Sequence, residues 1–177
     1  ASEYLPMPWT PTGVTVADTW RWDPPTMAVI AIGENRRVAT RNLEYTASSV
    51  RMPDVEGWLP EVAEAGRLDD RNLTLGLPEG ISPAIKTLAE QATAGQTTVG
   101  GKALALRDFL RSDEFTYSTT VTPGSTLQTL DDFLLGSRLG YCEQYAGAYA
   151  VMARMLGIPS RVVIGFLPGK KVGNHWE

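Results

Sequence analysis

Three groups in this sequence could carry chemistry: Cys142, His175 and the adjacent acids Asp131-Asp132, the 177-residue chain having one cysteine and one histidine in all. A thiolate is a strong nucleophile, an imidazole moves protons near neutral pH, and paired carboxylates act as acid and base or as metal ligands. Asp131-Asp132 has no histidine or further acid at ligand spacing and reads as a charge pair at a helix start. Cys-x-x-Cys, a histidine pair, a Gly-rich phosphate loop and a Gly-x-Ser-x-Gly elbow are all missing from the sequence. Neither a metal nor a cofactor is expected. The chemistry therefore rests on Cys142.

A lone cysteine is often just a small buried apolar residue. What precedes and follows this one argues otherwise. From Tyr145 the apolar residues Tyr145, Tyr149, Met152, Ala153 and Leu156 recur at the spacing of one face of a buried helix. Cys142 then falls in that helix's first turn, Gly136 and Gly140 interrupt what comes before, and Gly157 with Pro159 supplies the stop. A helix start aims unpaired N–H groups and the positive end of the peptide dipoles at its occupant, which favours thiolate over thiol. The same N–H groups, that of Cys142 first, could hold an oxyanion. The long polar side chains of Glu143 and Gln144 mark the helix start as accessible, and Arg161 to Phe166 reads as a β-branched strand beyond the helix.

Gly-Tyr-Cys-Glu-Gln-Tyr-Ala from Gly140, with Ala-Arg-Met-Leu-Gly-Ile-Pro-Ser-Arg-Val-Val-Ile-Gly-Phe up to Phe166, resembles the core of the transglutaminase-like superfamily, specifically its membrane-anchored bacterial protein-glutamine gamma-glutamyltransferase branch. The likeness is specific over residues 140–168 and runs more loosely back to about Leu77. It implies an α+β fold: a papain-like core with helices packed on an antiparallel sheet, and a Cys, His, Asp triad in which Cys142 is the nucleophile. The implied reaction is acyl transfer from protein glutamine side chains to amines through a Cys142 thioester. Its partners would be a protein or peptide substrate and an amine acceptor, in an extracytoplasmic domain whose membrane segments lie outside this sequence. A hydrolase using water as acceptor, and a non-catalytic cell-envelope binding module, remain open alternatives.

His175 does not fit the triad well. It lies 33 residues after Cys142 in His175-Trp176-Glu177, whereas the family's signature keeps a residue between His and Trp and comes after a full hairpin. Here Leu-Pro-Gly-Lys-Lys-Val-Gly-Asn, of turn character, separates Phe166 from His175. Asn174 to Glu177 is expected to begin an intervening strand, with the true His and Asp beyond Glu177; the alternative, His175 itself as the base, stays open.

The elements that must position Cys142 are read from the rest of the chain. With 43% hydrophobic residues, 177 residues suffice for one full core and a small appendage. A net charge of −4 with interspersed signs gives no nucleic-acid footprint. No run nears the ~18 apolar residues of a membrane span, and no signal peptide opens the chain, which reads as cytosolic or as an excised domain. Residues 1–76 are expected to form a small β unit and connector, with Leu5 and Trp9 as anchors and strands in Val14–Trp22, Met27–Ile32 and Val38–Met52. Trp20 and Trp22 share one strand face and read as packing rather than a ligand platform. A short helix capped by Asp54 is expected over Val55–Ala65, and a connector over 66–80. Residues 77–177 hold the core, truncated at its C-terminal end. Its helices start at Ser82-Pro83 and, after Gly100-Gly101, over Lys102–Arg111; a half-buried strand follows over Phe115–Val121.

Overall fold

The computed structural model describes residues 2–8, 10–17, 19–24, 26–34, 36–51, 54–66, 71–121, 124, 126–165, 170–173 and 175–176, and at 38, 71, 72, 175 and 176 only the backbone. Trp9 and Phe166 lie outside them. The chain is α+β, and its residues gather into two compact units, 1–53 with 164–177, and 54–163.

The first unit is built of short antiparallel ladders. β1 (Pro11–Thr15) pairs with β4 (Thr46–Ser49), and β2 (Trp20–Asp23) with β3 (Ala28–Ala31). The expected strand Val14–Trp22 is thus two strands in two ladders, and among the described residues of Val38–Met52 the strand is Thr46–Ser49, after a 3₁₀ turn at Arg36–Val38. Leu5, Val29 and Ala31 are buried, and Leu5 N–H donates to the Val29 carbonyl at 2.9 Å. Trp20 is half-buried but Trp22 is 42% exposed, so core packing does not account for Trp22. β7 (Lys171–Val172) and β8 (His175–Trp176) form a third ladder, placing His175 opposite Val172.

The second unit is helical and begins at α1 (Val55–Trp58), whose Asp54 carboxylate accepts from Glu56 N–H at 3.1 Å. Pro60 ends it early, in a 3₁₀ turn over Leu59–Glu61. The expected connector contains a one-turn helix, α2 (Arg71–Leu75). α3 (Pro83–Ala92) starts as its sequence dictates, with Pro83 at the first position and Ser82 Oγ accepting from Ala84 N–H. α4 (Val99–Leu110) starts three residues before the expected Lys102 and takes Gly100 and Gly101 into its first turn. The reason is contact: Gly100 is buried against the turn at 59–62, where its N–H donates to the Val62 carbonyl at 3.0 Å. Thr98 caps Gly101 N–H and donates its own hydroxyl to the Pro60 carbonyl at 2.7 Å. A Gly pair that reads locally as a helix breaker is taken into the helix, and at Gly100 the Leu59 carbonyl leaves no room for a Cβ.

β5 (Thr116–Tyr117) is shorter than the expected strand and pairs in parallel with β6 (Leu139–Gly140). Between them α5 (Leu127–Leu135) is capped by Thr126, so Asp131 and Asp132 lie inside the helix rather than at its start; Asp132 accepts from Ser137 Oγ at 2.7 Å. α6 (Cys142–Met155) packs against α3, α4 and α5 and carries the centre of the core. Ala148, Met152 and Ala153 meet Ile85 and Ala89 of α3, Leu106 and Leu110 of α4, and Phe133 and Leu134 of α5. Burying the larger of these, Ile85, Leu106, Leu110, Phe133, Leu134 and Met152, stabilises by about 1.5–3 kcal/mol each, which fixes the helix in place.

Residues 161–165 form no regular element, against the strand expected from Arg161 to Phe166. Val162 and Val163 are half or more exposed and Ile164 is 95% exposed. β-branched residues favour a strand only where a partner strand completes the hydrogen bonds, and among the described residues no strand pairs with Val162 to Ile164.

Candidate active site

The start of α6 is assembled from three directions. From below, Gly140 sits against the Phe133 ring: a Cβ there would come within 2.8 Å of two ring carbons and 2.9 Å of Gln144 Cβ. From the side, β5 holds Tyr117 opposite Gly140, and Ser118 N–H donates to the Gly140 carbonyl at 2.8 Å. From behind, Gln144 is 7% exposed, its Oε1 accepting from Tyr141 N–H at 3.1 Å and its Nε2 donating to the Gly124 carbonyl at 3.0 Å. This is half of a capping box combined with a tie to the preceding loop. Gln144 was expected to mark an accessible surface; it is instead the polar strut that fixes the helix start. The far end of α6 is closed by Gly157 at φ +74°, with Ile158 N–H to Ala153 O at 2.9 Å and Gly157 N–H to Arg154 O at 3.0 Å, a Schellman motif. Arg154 donates to the carbonyls of Leu73, Gly76 and Ser160, tying that end to α2 and the residue after it.

Cys142 emerges from this frame as a free, exposed thiol at the first residue of the helix. On either side of it in sequence stand Tyr141 and Glu143, whose side chains join across it: the Tyr141 hydroxyl donates to Glu143 Oε2 at 2.6 Å. The Glu143 carboxylate accepting that bond, then loss of water, then the negative charge itself, push the Tyr141 phenol up to about 12. Cys142 and Tyr117 act on it in the same direction. A raised phenol means that the bond's contribution is present in full below the ordinary value of 10 and is lost as pH rises through about 12. Glu143→Gln is therefore expected to move one tyrosine of the phenolate absorbance titration down toward 10. Superimposable titrations of the two proteins would contradict it.

Beneath this pair runs a chain of rings. Tyr145 lies 4.8 Å from Phe133 and 5.9 Å from Tyr117 between centroids, and Phe115 lies 5.2 Å from Phe133. Arg138 stacks over Phe115 and is ion-paired with Glu114. Tyr117, 61% exposed, is the outer end of this chain. Sequence spacing did not single out Tyr117, because its nearness to Cys142 comes from the β5–β6 ladder.

The structure brings Cys142, Tyr141, Glu143 and Gln144 together. Cys142 belongs to the 54–163 unit and His175 to the other, and among the described residues none is hydrogen-bonded to the Cys142 sulfur.

An α+β chain whose longest helix opens on an exposed cysteine has the framework of a transglutaminase-like core, and the chain belongs to that superfamily, whose core model matches residues 86–177. Among curated proteins it is 32% identical over 125 residues to a protein-glutamine gamma-glutamyltransferase of Pseudomonas aeruginosa, covering 68% of this chain and 18% of the relative. It is 29% identical over 147 residues to the uncharacterized protein YebA of Bacillus subtilis, covering 80% of this chain and 20% of that protein. The periplasmic domain of TgpA from Pseudomonas aeruginosa shares the fold, with a TM-score of 0.59 at 23% identity over 89% of this chain and 50% of that one. Its ethylmercury-bound form gives 0.53 at 24%, over 82% and 48%. The chain thus spans about a fifth of the curated relatives' length and half of the solved domain. Among the described residues no helix is long and apolar enough to cross a membrane.

Proposed function

We propose that this domain carries the nucleophile of a transglutaminase-type acyltransferase and that Cys142 is that nucleophile. The observation that carries the reading is the position of the thiol: free, exposed, and first in a helix whose other face is locked into the core of a transglutaminase-like chain. Helix starts leave N–H groups without intrahelical partners and favour negative charge, which suits both a thiolate and the oxyanion of a tetrahedral intermediate. In the reaction, Sγ attacks the γ-carboxamide carbon of a glutamine side chain. The C–N bond breaks, ammonia leaves, and a thioester remains. An amine then attacks the thioester carbon, the C–S bond breaks, and the thiol is restored. Proton transfers belong to a base and its orienter, a role not assigned to His175, whose spacing departs from the family's pattern. Likeness to the periplasmic domain of TgpA supports an extracytoplasmic setting, and likeness to a protein-glutamine gamma-glutamyltransferase supports a protein substrate.

The test is ammonia release from a glutaminyl peptide by the protein that contains this domain, followed with and without a primary amine. Cys142→Ala should lower turnover by about a thousandfold or more. Turnover retained in Cys142→Ala would overturn the assignment; ammonia release with no amine incorporated would mark a hydrolase.

A further inference from the structure

Cys142 does not open onto neutral surroundings. Tyr141 and Glu143 are bonded to each other across it, so a carboxylate is held in the first turn beside the thiol rather than left free on a long side chain. Since the phenol stays protonated through the physiological range, the pair carries one negative charge, that of Glu143. The basic residue just upstream, Arg138, is ion-paired with Glu114 and stacked on Phe115. Tyr117 adds an exposed ring, supported from behind by Tyr145, one turn along α6 from Cys142.

A fixed carboxylate and an exposed aromatic ring together are a receptor for a positive charge, the first by Coulomb attraction and the second by its ring quadrupole. Resting on the reading of Cys142 as an acyl-accepting nucleophile, we propose that Glu143, held by Tyr141, and Tyr117 form a specificity element that selects a cationic group, of the primary-ammonium class, beside the reacting sulfur. The helix start opposes this by favouring anions, but its effect is equivalent to about half a charge and falls off within the first turn, where Glu143 contributes a whole one. The neutral carboxamide of an acyl donor can offer the carboxylate a hydrogen bond but no opposite charge, whereas a cationic group gains the Coulomb attraction as well. The element therefore bears on the second substrate, the acceptor amine.

Charged thiol reagents test this on the chain as it stands, without turnover. A quaternary-ammonium methanethiosulfonate and its sulfonate counterpart differ chiefly in charge and form the same kind of disulfide with Cys142. At low ionic strength the cationic reagent, after normalisation to a small free thiol, should react about tenfold faster than the anionic one. Glu143→Gln should cut that ratio at least threefold, Glu143→Asp should keep most of it, and Tyr117→Ala should lower it about twofold. High salt should collapse it in the wild type. A ratio at or below one, or a ratio that Glu143→Gln leaves unchanged, overturns the proposal while leaving Cys142 a reactive nucleophile. A Cys142 inert to both reagents overturns this proposal and the functional reading together.

Discussion

Gly100→Ala is expected to destabilise the 54–163 unit by about 2–4 kcal/mol, although alanine is the better helix former. Inside an exposed helix the exchange would gain about 1 kcal/mol. At Gly100 the added Cβ would stand 1.6 Å from the Leu59 carbonyl oxygen, 2.7 Å from its carbon and 3.3 Å from Val62 Cβ. Backbone atoms cannot swing aside as the tip of a side chain can. Relief requires α4 to separate from the turn at 59–62, which breaks the bond from Gly100 N–H to Val62 O and strains that from Thr98 to Pro60. Overpacking typically costs 1–3 kcal/mol and each lost hydrogen bond about 1, so the loss exceeds the propensity gain. Gly147→Ala supplies the opposite sign within one protein. It lies inside α6, nothing stands within 4 Å of the added Cβ, and it should gain about 0.5–1 kcal/mol. Urea unfolding midpoints at equal slope decide both. A neutral or stabilising Gly100→Ala would mean that α4 does not lie against the Leu59 carbonyl.

Phe133→Ala should cost about 4 kcal/mol. Phe133 is 1% exposed, and its ring is the hub between Phe115, Tyr145 and Gly140. Its removal leaves a cavity under β6 and the first turn of α6, the segment that presents Cys142. The contact with Gly140 gives a sharper check than the loss alone. In the wild type Gly140→Ala drives a methyl into the Phe133 ring; in Phe133→Ala that ring is gone and the contact with Gln144 Cβ is what remains. The double variant should therefore be more stable than the sum of the two losses predicts, by about 1 kcal/mol or more. Simple additivity in unfolding experiments would show that the ring does not press on Gly140.

The residues that follow local rules could be read without coordinates. Ser82 with Pro83 opens α3, Asp54 caps α1, Gly157 closes α6, and Cys142 opens it, because caps and stops depend on backbone groups within one turn of the residue that satisfies them. The apolar face of α6 was legible for the same reason, though its buried centre at Ala148, Met152 and Ala153 lies slightly to one side of the face read from Tyr145. Other misreadings involve a partner distant in sequence. Gly100 looks like part of a break until the Leu59 carbonyl, some forty residues earlier, leaves no room for a side chain there. Gln144 looks like a surface residue until the Gly124 carbonyl, twenty residues earlier, gives its amide a buried partner. Val162 to Ile164 look like a strand, but strand propensity is realised only in a pair, and the chain offers them none among its described residues. The position of Cys142 was thus written in its own neighbourhood. Tyr117 beside it, and the ring and amide that hold its backbone, were set by packing and pairing between segments that no local spacing relates.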